Sequence, residues 1–134
     1  MMKKAIFSKL LLITALVWTL AGCAGKDIVF EAPAGAEEVV VSMKASNFAF
    51  DPTVIKAHQG SVLLIEVENV AGIAHNLTIK SPEEKILTSV SLPAGQTVTV
   101  QVILEESGTY AYTCDRPMHT TLGMSGRIEV APHP

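Results

Sequence analysis

Strict period-two alternation is the feature that most limits the folds open to this chain. Val98, Val100, Val102 and Leu104 alternate with Thr97, Thr99, Gln101 and Ile103. A half-buried strand imposes that period, because successive side chains point to opposite faces. Leu63, Ile65 and Val67 alternate with Leu64, Glu66 and Glu68, and His75, Leu77 and Ile79 with Asn76, Thr78 and Lys80. Val39, Val41 and Met43 form a fourth such series, Tyr110, Tyr112 and Cys114 a fifth, and Ile128 and Val130 a sixth. Residues 53–57 are β-prone and 86–92 read as a further strand, whereas 47–52 read as an aromatic-bearing stretch ending in a turn. Gly60, residues 81–84, Pro93-Ala94-Gly95 and residues 105–108 punctuate these runs. No amphipathic helix stands out, although 82–88 would allow a short helical turn. Seven or eight short strands with Gly/Pro turns imply an all-β chain folded as a Greek-key β-sandwich. About 100 residues suffice for one modest core.

The first 22 residues do not share this pattern. Lys3, Lys4 and Lys9 precede an almost wholly apolar run over residues 10–20. That run is shorter than the about twenty residues a membrane span needs. A basic start, a short apolar stretch and small residues after it read as an export signal. The small residues end in Leu20-Ala21-Gly22-Cys23, which resembles the lipobox of bacterial lipoproteins. The resemblance implies cleavage before Cys23 and a lipid on its sulfur, which anchors by burying methylenes. The expected organisation is a signal peptide over 1–22, a lipidated tether over 23–36 and one domain over 37–134. The location is then extracytoplasmic, on the periplasmic or extracellular side of a membrane.

Loss of Lys3, Lys4 and Lys9 leaves seven basic residues against thirteen acidic ones, a net charge of −6. Nucleic-acid binding needs a basic footprint, so that class is excluded. The chain has two cysteines, Cys23 and Cys114. With Cys23 lipidated, Cys114 has no disulfide partner within the chain. A lone thiol in an oxidising compartment is a liability unless something uses it.

Its neighbours give it a use. Cys114, His119 and Met124 lie in one segment between the last two expected strands, at Cys-x4-His-x4-Met spacing. A loop can fold these three side chains around one ion, whereas an extended strand would carry them apart. His75 offers a second imidazole at the start of another strand. Two imidazoles and a thiolate with a weak thioether form the copper electron-transfer site. The thiolate is a soft, strong donor, imidazole serves both oxidation states, and the thioether tunes the potential. Taken singly, His75 reads as a core histidine, Met124 as packing and Cys114 as an inert thiol. Only the ordered set points to copper. His58 and His133 fall outside any useful spacing and read as exposed. Asp115 and Arg116 read as a local pair or as solvated side chains.

The segment Tyr112-Thr113-Cys114, Pro117, His119, Gly123-Met124-Ser125-Gly126 and the following Arg127-Ile128-Glu129-Val130 resembles the copper loop of the cupredoxins, in particular plastocyanin-like and auracyanin-like bacterial members. Ala74-His75-Asn76-Leu77 is similar to the family's first His-Asn pair, and Phe48 to Ile55 followed by Gly60 to its early strand. The resemblance covers residues 37–131. It implies one copper ion, cycling between Cu(I) and Cu(II), held by His75, Cys114, His119 and Met124. It also implies that Asn76 ties the first ligand's strand to the cysteine strand. Met118 departs from the family, where glycine commonly follows the loop proline. It would enlarge an apolar surface, pack, or compete with Met124 as axial ligand, and Met124 suits that position better.

The resemblance further implies a monomeric single-electron carrier. Redox protein partners would meet an apolar patch of Pro117, Met118 and Leu122 around His119. Copper delivery from the membrane surface is the competing reading, although carriers of that kind more often use exposed Met/His sets. An enzyme is not expected. The chain lacks the His-x-His pairs of multicopper oxidases and the second loop cysteine of a binuclear copper domain. A Cys114 nucleophile with His119 as base would leave His75 and Met124 unexplained. A structural zinc site would need a closed tetrahedral set with harder or further thiolate ligands.

Overall fold

The computed structural model describes residues 35–134. The expected signal peptide, Cys23 and most of the tether lie outside the described residues. Nine strands follow in order: β1 Glu38–Ser46, β2 Ala49–Asp51, β3 Val54–His58, β4 Val62–Asn69, β5 His75–Lys80, β6 Ile86–Leu92, β7 Thr97–Ile103, β8 Gly108–Thr113 and β9 Ser125–Ala131. They form a four-stranded sheet in the order β2-β1-β4-β7 and a five-stranded sheet in the order β3-β9-β8-β5-β6. Both sheets are mixed, because β1 pairs parallel with β4 and β3 parallel with β9. The chain passes repeatedly from one sheet to the other, and one buried cluster draws on both. The β-sandwich expected from the alternation is therefore present.

The alternation maps directly onto burial. In β4, Leu63, Ile65 and Val67 are buried while Glu66 and Glu68 are exposed. In β8, Tyr110 and Tyr112 face the core. Strand β5 departs from simple alternation, since His75, Leu77, Thr78 and Ile79 are all buried. Its outward Thr78 hydroxyl is covered by polar partners from β6 and from the residue after Cys114, described below.

Two expectations need correction. Among the described residues the strand count is nine rather than seven or eight, because residues 49–51, inside the stretch read as ending in a turn, form a short strand on β1. The helical turn allowed over 82–88 does not form. Ser81 and Lys85 instead close a turn, with the Ser81 N–H donating to Lys85 O at 2.8 Å, and the chain enters β6 at Ile86. Thr88 and Val90 favour a pleated surface, and pairing with β5 satisfies their backbone groups. That cross-strand pairing outweighs the local turn signal.

Tyr112 locks the sheet edge nearest the last loop. Its hydroxyl donates to Pro52 O at 2.6 Å, and its ring meets Phe50 edge-on at 5.7 Å between centroids. Burial pushes the Tyr112 hydroxyl pKa up to about 12. The ring lies over its cross-strand partner Gly126, where an added Cβ would stand 2.2 Å from Cζ of Tyr112. Glycine at 126 is thus a packing requirement. Gly126→Ala should cost about 1–3 kcal/mol, the usual penalty for overpacking. Urea unfolding of the copper-free protein measures this, and an unchanged midpoint would refute the packing account.

Candidate metal centre

The centre is built at the end of the sandwich where β5 begins and β8 ends. His75 is the first residue of β5 and is paired with Leu92 of β6. The loop that delivers it is organised by Asn69, itself 1% exposed. Asn69 Nδ2 donates to Ile73 O at 2.9 Å and to Leu92 O at 2.8 Å, and its Oδ1 accepts the Ala71 N–H at 3.0 Å. A buried amide with these partners holds the β4–β5 crossing in one conformation.

Cys114 immediately follows β8. Its N–H donates to Met124 O at 3.0 Å, extending the ladder in which Thr113 faces Ser125. The chain between these two residues is therefore pinched off at its neck. Inside the loop, the His119 N–H donates to Arg116 O at 3.1 Å, the Leu122 N–H to Met118 O at 3.0 Å and the Gly123 N–H to Thr120 O at 3.0 Å. The Met124 N–H donates to His119 O at 3.0 Å, and the Thr120 hydroxyl to Cys114 O. Gly123 has φ +102°, a backbone conformation that glycine adopts without steric penalty. Successive turns thus place His119 back over the residues that close the neck.

Three donor atoms meet there. His75 Nδ1 lies 3.0 Å from His119 Nδ1, and His119 Nδ1 lies 3.4 Å from Cys114 Sγ. The three residues form a possible metal set with all donor atoms within 4.8 Å of one another. Those two separations suit donors that share one small ion about 2 Å from each. His75, Cys114 and Met124 are buried, and His119 is half-buried. Met124 is 0% exposed and bonded through its backbone to both Cys114 and His119. Burial, helped by the neighbouring His119 and Arg116, holds the His75 pKa below its ordinary value. A neutral His75 keeps a lone pair free for a ligand. His75 Nε2 is buried with no hydrogen-bond partner among the described residues. The ring is therefore held by packing and through Nδ1, without the carboxylate that often orients a metal-bound imidazole.

Asn76 connects the two halves. Its Oδ1 accepts the Asp115 N–H at 3.0 Å and the Cys114 thiol at 3.1 Å. Its Nδ2 donates to the Asp115 carboxylate and to Thr78 Oγ1 at 3.2 Å. The backbone N–H can only donate, so it fixes which end of the amide faces the cysteine. The Thr78 hydroxyl donates to Asp115 Oδ2 at 2.9 Å, which leaves Ser89 Oγ, 2.8 Å away, to donate to Thr78. Asp115 therefore corrects the surface-pair reading: its carboxylate is engaged with Asn76 and Thr78, and among the described residues no ion pair joins it to Arg116.

Sequence reasoning also missed Asn69 and Phe48. The ring of Phe48 meets His119 edge-on at 5.2 Å between centroids. Neither residue carries a motif, and each acts only through the fold. Met118 and Leu122 are 71% and 52% exposed, so neither packs in the core. His58 and His133 are exposed, and His58 pairs with Glu37 at 3.4 Å. Two imidazoles and a thiol that meet at one point, with a buried thioether near them, fit the donor set of a copper electron-transfer site.

The Asn76 network makes a stability prediction that is independent of metal. Asn76→Ala removes the bridge to Cys114 and Asp115, whose Asp115 end is exposed to water, and should cost about 0.5–1.5 kcal/mol. Denaturant unfolding of the copper-free protein reads this directly, and a loss within error of zero would show that Asn76 does not join the two strands.

A family model described as "Cupredoxin-like domain" matches residues 12–128. Among solved structures, the dithionite-reduced auracyanin from the photosynthetic bacterium Roseiflexus castenholzii is similar over 73% of this chain and 100% of its own, at 21% identity and a TM-score of 0.65. Auracyanin A, a "blue" copper protein from Chloroflexus aurantiacus, is similar over 69% of this chain and 98% of its own, at 22% identity and a TM-score of 0.61. The copper nitrite reductase from Nitrosomonas europaea is similar over 72% of this chain but only 42% of its own, at 21% identity and a TM-score of 0.58. With the family model spanning most of its length, this chain belongs to the cupredoxin-like domain family.

Proposed function

We propose that the protein is a type 1 copper protein that carries single electrons outside the cytoplasm. The observation that carries this reading is the meeting of His75 Nδ1, Cys114 Sγ and His119 Nδ1 beside the buried Met124. When bound, the copper ion would supply a one-electron couple. The residues' own part is to hold still. The neck between Cys114 and Met124 and the Asn76 bridge tie the donors to both halves of the five-stranded sheet. A pocket already closed on itself needs little rearrangement between oxidation states. Burial of three of the four side chains keeps water from the ion and disfavours its release. That argues for a resident cofactor rather than cargo for delivery.

His119 is the one partly exposed member of the set. It offers the shortest path from the site to the surface. Around it the loop presents Pro117, Met118 and Leu122, all exposed. Small, largely apolar contacts of this kind suit brief encounters with redox proteins. The chain as proposed is a monomeric carrier with no catalytic step of its own. The likeness to a nitrite reductase is a likeness of one sandwich within a longer chain. Among the described residues no helix is long and apolar enough to cross a membrane. Attachment is proposed to rest on a lipid at Cys23, after removal of residues 1–22, which would hold the carrier at the outer face of a membrane.

Copper loading tests the reading. The oxidised protein should show an intense thiolate-to-copper band near roughly 600 nm that bleaches reversibly on one-electron reduction with the ion retained. Cys114→Ser should lose the band. A band that survives the substitution, or copper that stays colourless and exchanges freely, would overturn the carrier assignment.

A further inference from the structure

Phe48 stands in a costly place. It is the second residue of the two-residue turn between β1 and β2, where Ser46 pairs with Ala49. Its φ is +64°, in the left-handed region, where a bulky side chain is a genuine outlier. Turns of this kind take glycine or asparagine at such a position. Here asparagine is present, but one residue earlier, at Asn47. The Phe48 side chain does not repay the strain by joining the core, since the residue is 39% exposed. What its ring touches is His119, edge to face at 5.2 Å and 79°. The same turn abuts the ligand loop through its backbone, because a Cβ on Gly123 would sit 3.9 Å from Phe48 O.

Among the described residues His119 has two aromatic neighbours. His75, at 4.9 Å between centroids, is fully buried and lies on the interior side. Phe48 is the exposed one, and so borders the imidazole on its solvent side. His119 is also the only donor of the three carried by a loop with no strand on either side of it. Strained residues gather where their side chains are needed. We infer that Phe48 is a positioning residue for His119: its ring obstructs rotation of the imidazole out of the site and holds the donor set together with or without an ion. The part of this inference that concerns copper rests on the function proposed above; the part that concerns the imidazole does not.

Phe48→Gly separates the two roles a turn residue can have. Glycine accepts φ +64° readily, so the turn keeps its shape while the ring is lost. Two measurements follow. In the copper-free protein, NMR relaxation dispersion at the imidazole carbons should reveal microsecond-to-millisecond exchange at His119, with buried His75 as the quiet internal control. In the copper(I)-loaded protein, transfer of the ion to bathocuproine disulfonate should accelerate about tenfold, as for loss of a residue that orients a ligand. Phe48→Tyr should restore the parent behaviour in both. Phe48→Ala, which keeps the unfavourable φ, should match glycine in both readouts although it is less stable. Unchanged His119 dynamics in the glycine variant, or exchange that appears equally at His75, would overturn the inference. Failure of the parent protein to hold copper would instead count against the proposed function and leave the NMR result to judge Phe48.

Discussion

One backbone hydrogen bond organises this molecule's working end: the Cys114 N–H donates to Met124 O. It carries the β8–β9 ladder one step past Thr113 and Ser125 and thereby sets where the sheet stops and the loop starts. Everything between must turn back within a few residues, and the internal bonds of the loop bring His119 over the neck. If that step of the ladder were lost, Cys114 and Met124 would separate and His119 would have no fixed place to stand. The sheet behind it is held in turn by Tyr112 lying over Gly126, so core packing and donor placement are one construction.

The second half of the site reaches the first through polar groups rather than packing. Asn69 shapes the crossing that delivers His75, and Asn76 grips the residues on both sides of the Cys114–Asp115 peptide. Each amide uses an oxygen and a nitrogen at once, so neither can turn over without breaking bonds. Asn69 is buried and Asn76 partly so, and polar networks shielded from water are costly when incomplete and specific when complete. Here they supply the specificity: β5 and the end of β8 meet in one register, and the donors meet with them.

Much of this was legible in the sequence, for identifiable reasons. Leu63, Ile65 and Val67 in β4 and Val100 and Val102 in β7 announce buried faces through period two. Cys114, His119 and Met124 announce themselves by chemistry and spacing. Strand β2 was legible only through the likeness of Phe48 to Ile55 to a family strand, because its pairing with β1 depends on a turn through Phe48 that no propensity favours. The helical turn that 82–88 would allow gives way to a tight turn at Ser81–Lys85 and to β6, the strand read from residues 86–92. Asp115 is exposed, but its bonds to Asn76 and Thr78 were not legible because those partners lie 39 and 37 residues away in the chain. Phe48 was visible only as part of an early strand, and its contact with His119 exists only once the two sheets pack against each other.

The central claim is that one thiolate and two imidazoles from β5 and a single pinched loop share one copper ion. X-ray absorption at the copper edge of the loaded protein addresses it most directly, since it counts the nearest atoms by type. The account predicts one sulfur and two imidazole nitrogens in the short shell, with the sulfur gone in Cys114→Ser and one nitrogen gone in His75→Ala. A short shell of nitrogen and oxygen alone in the parent protein would contradict it.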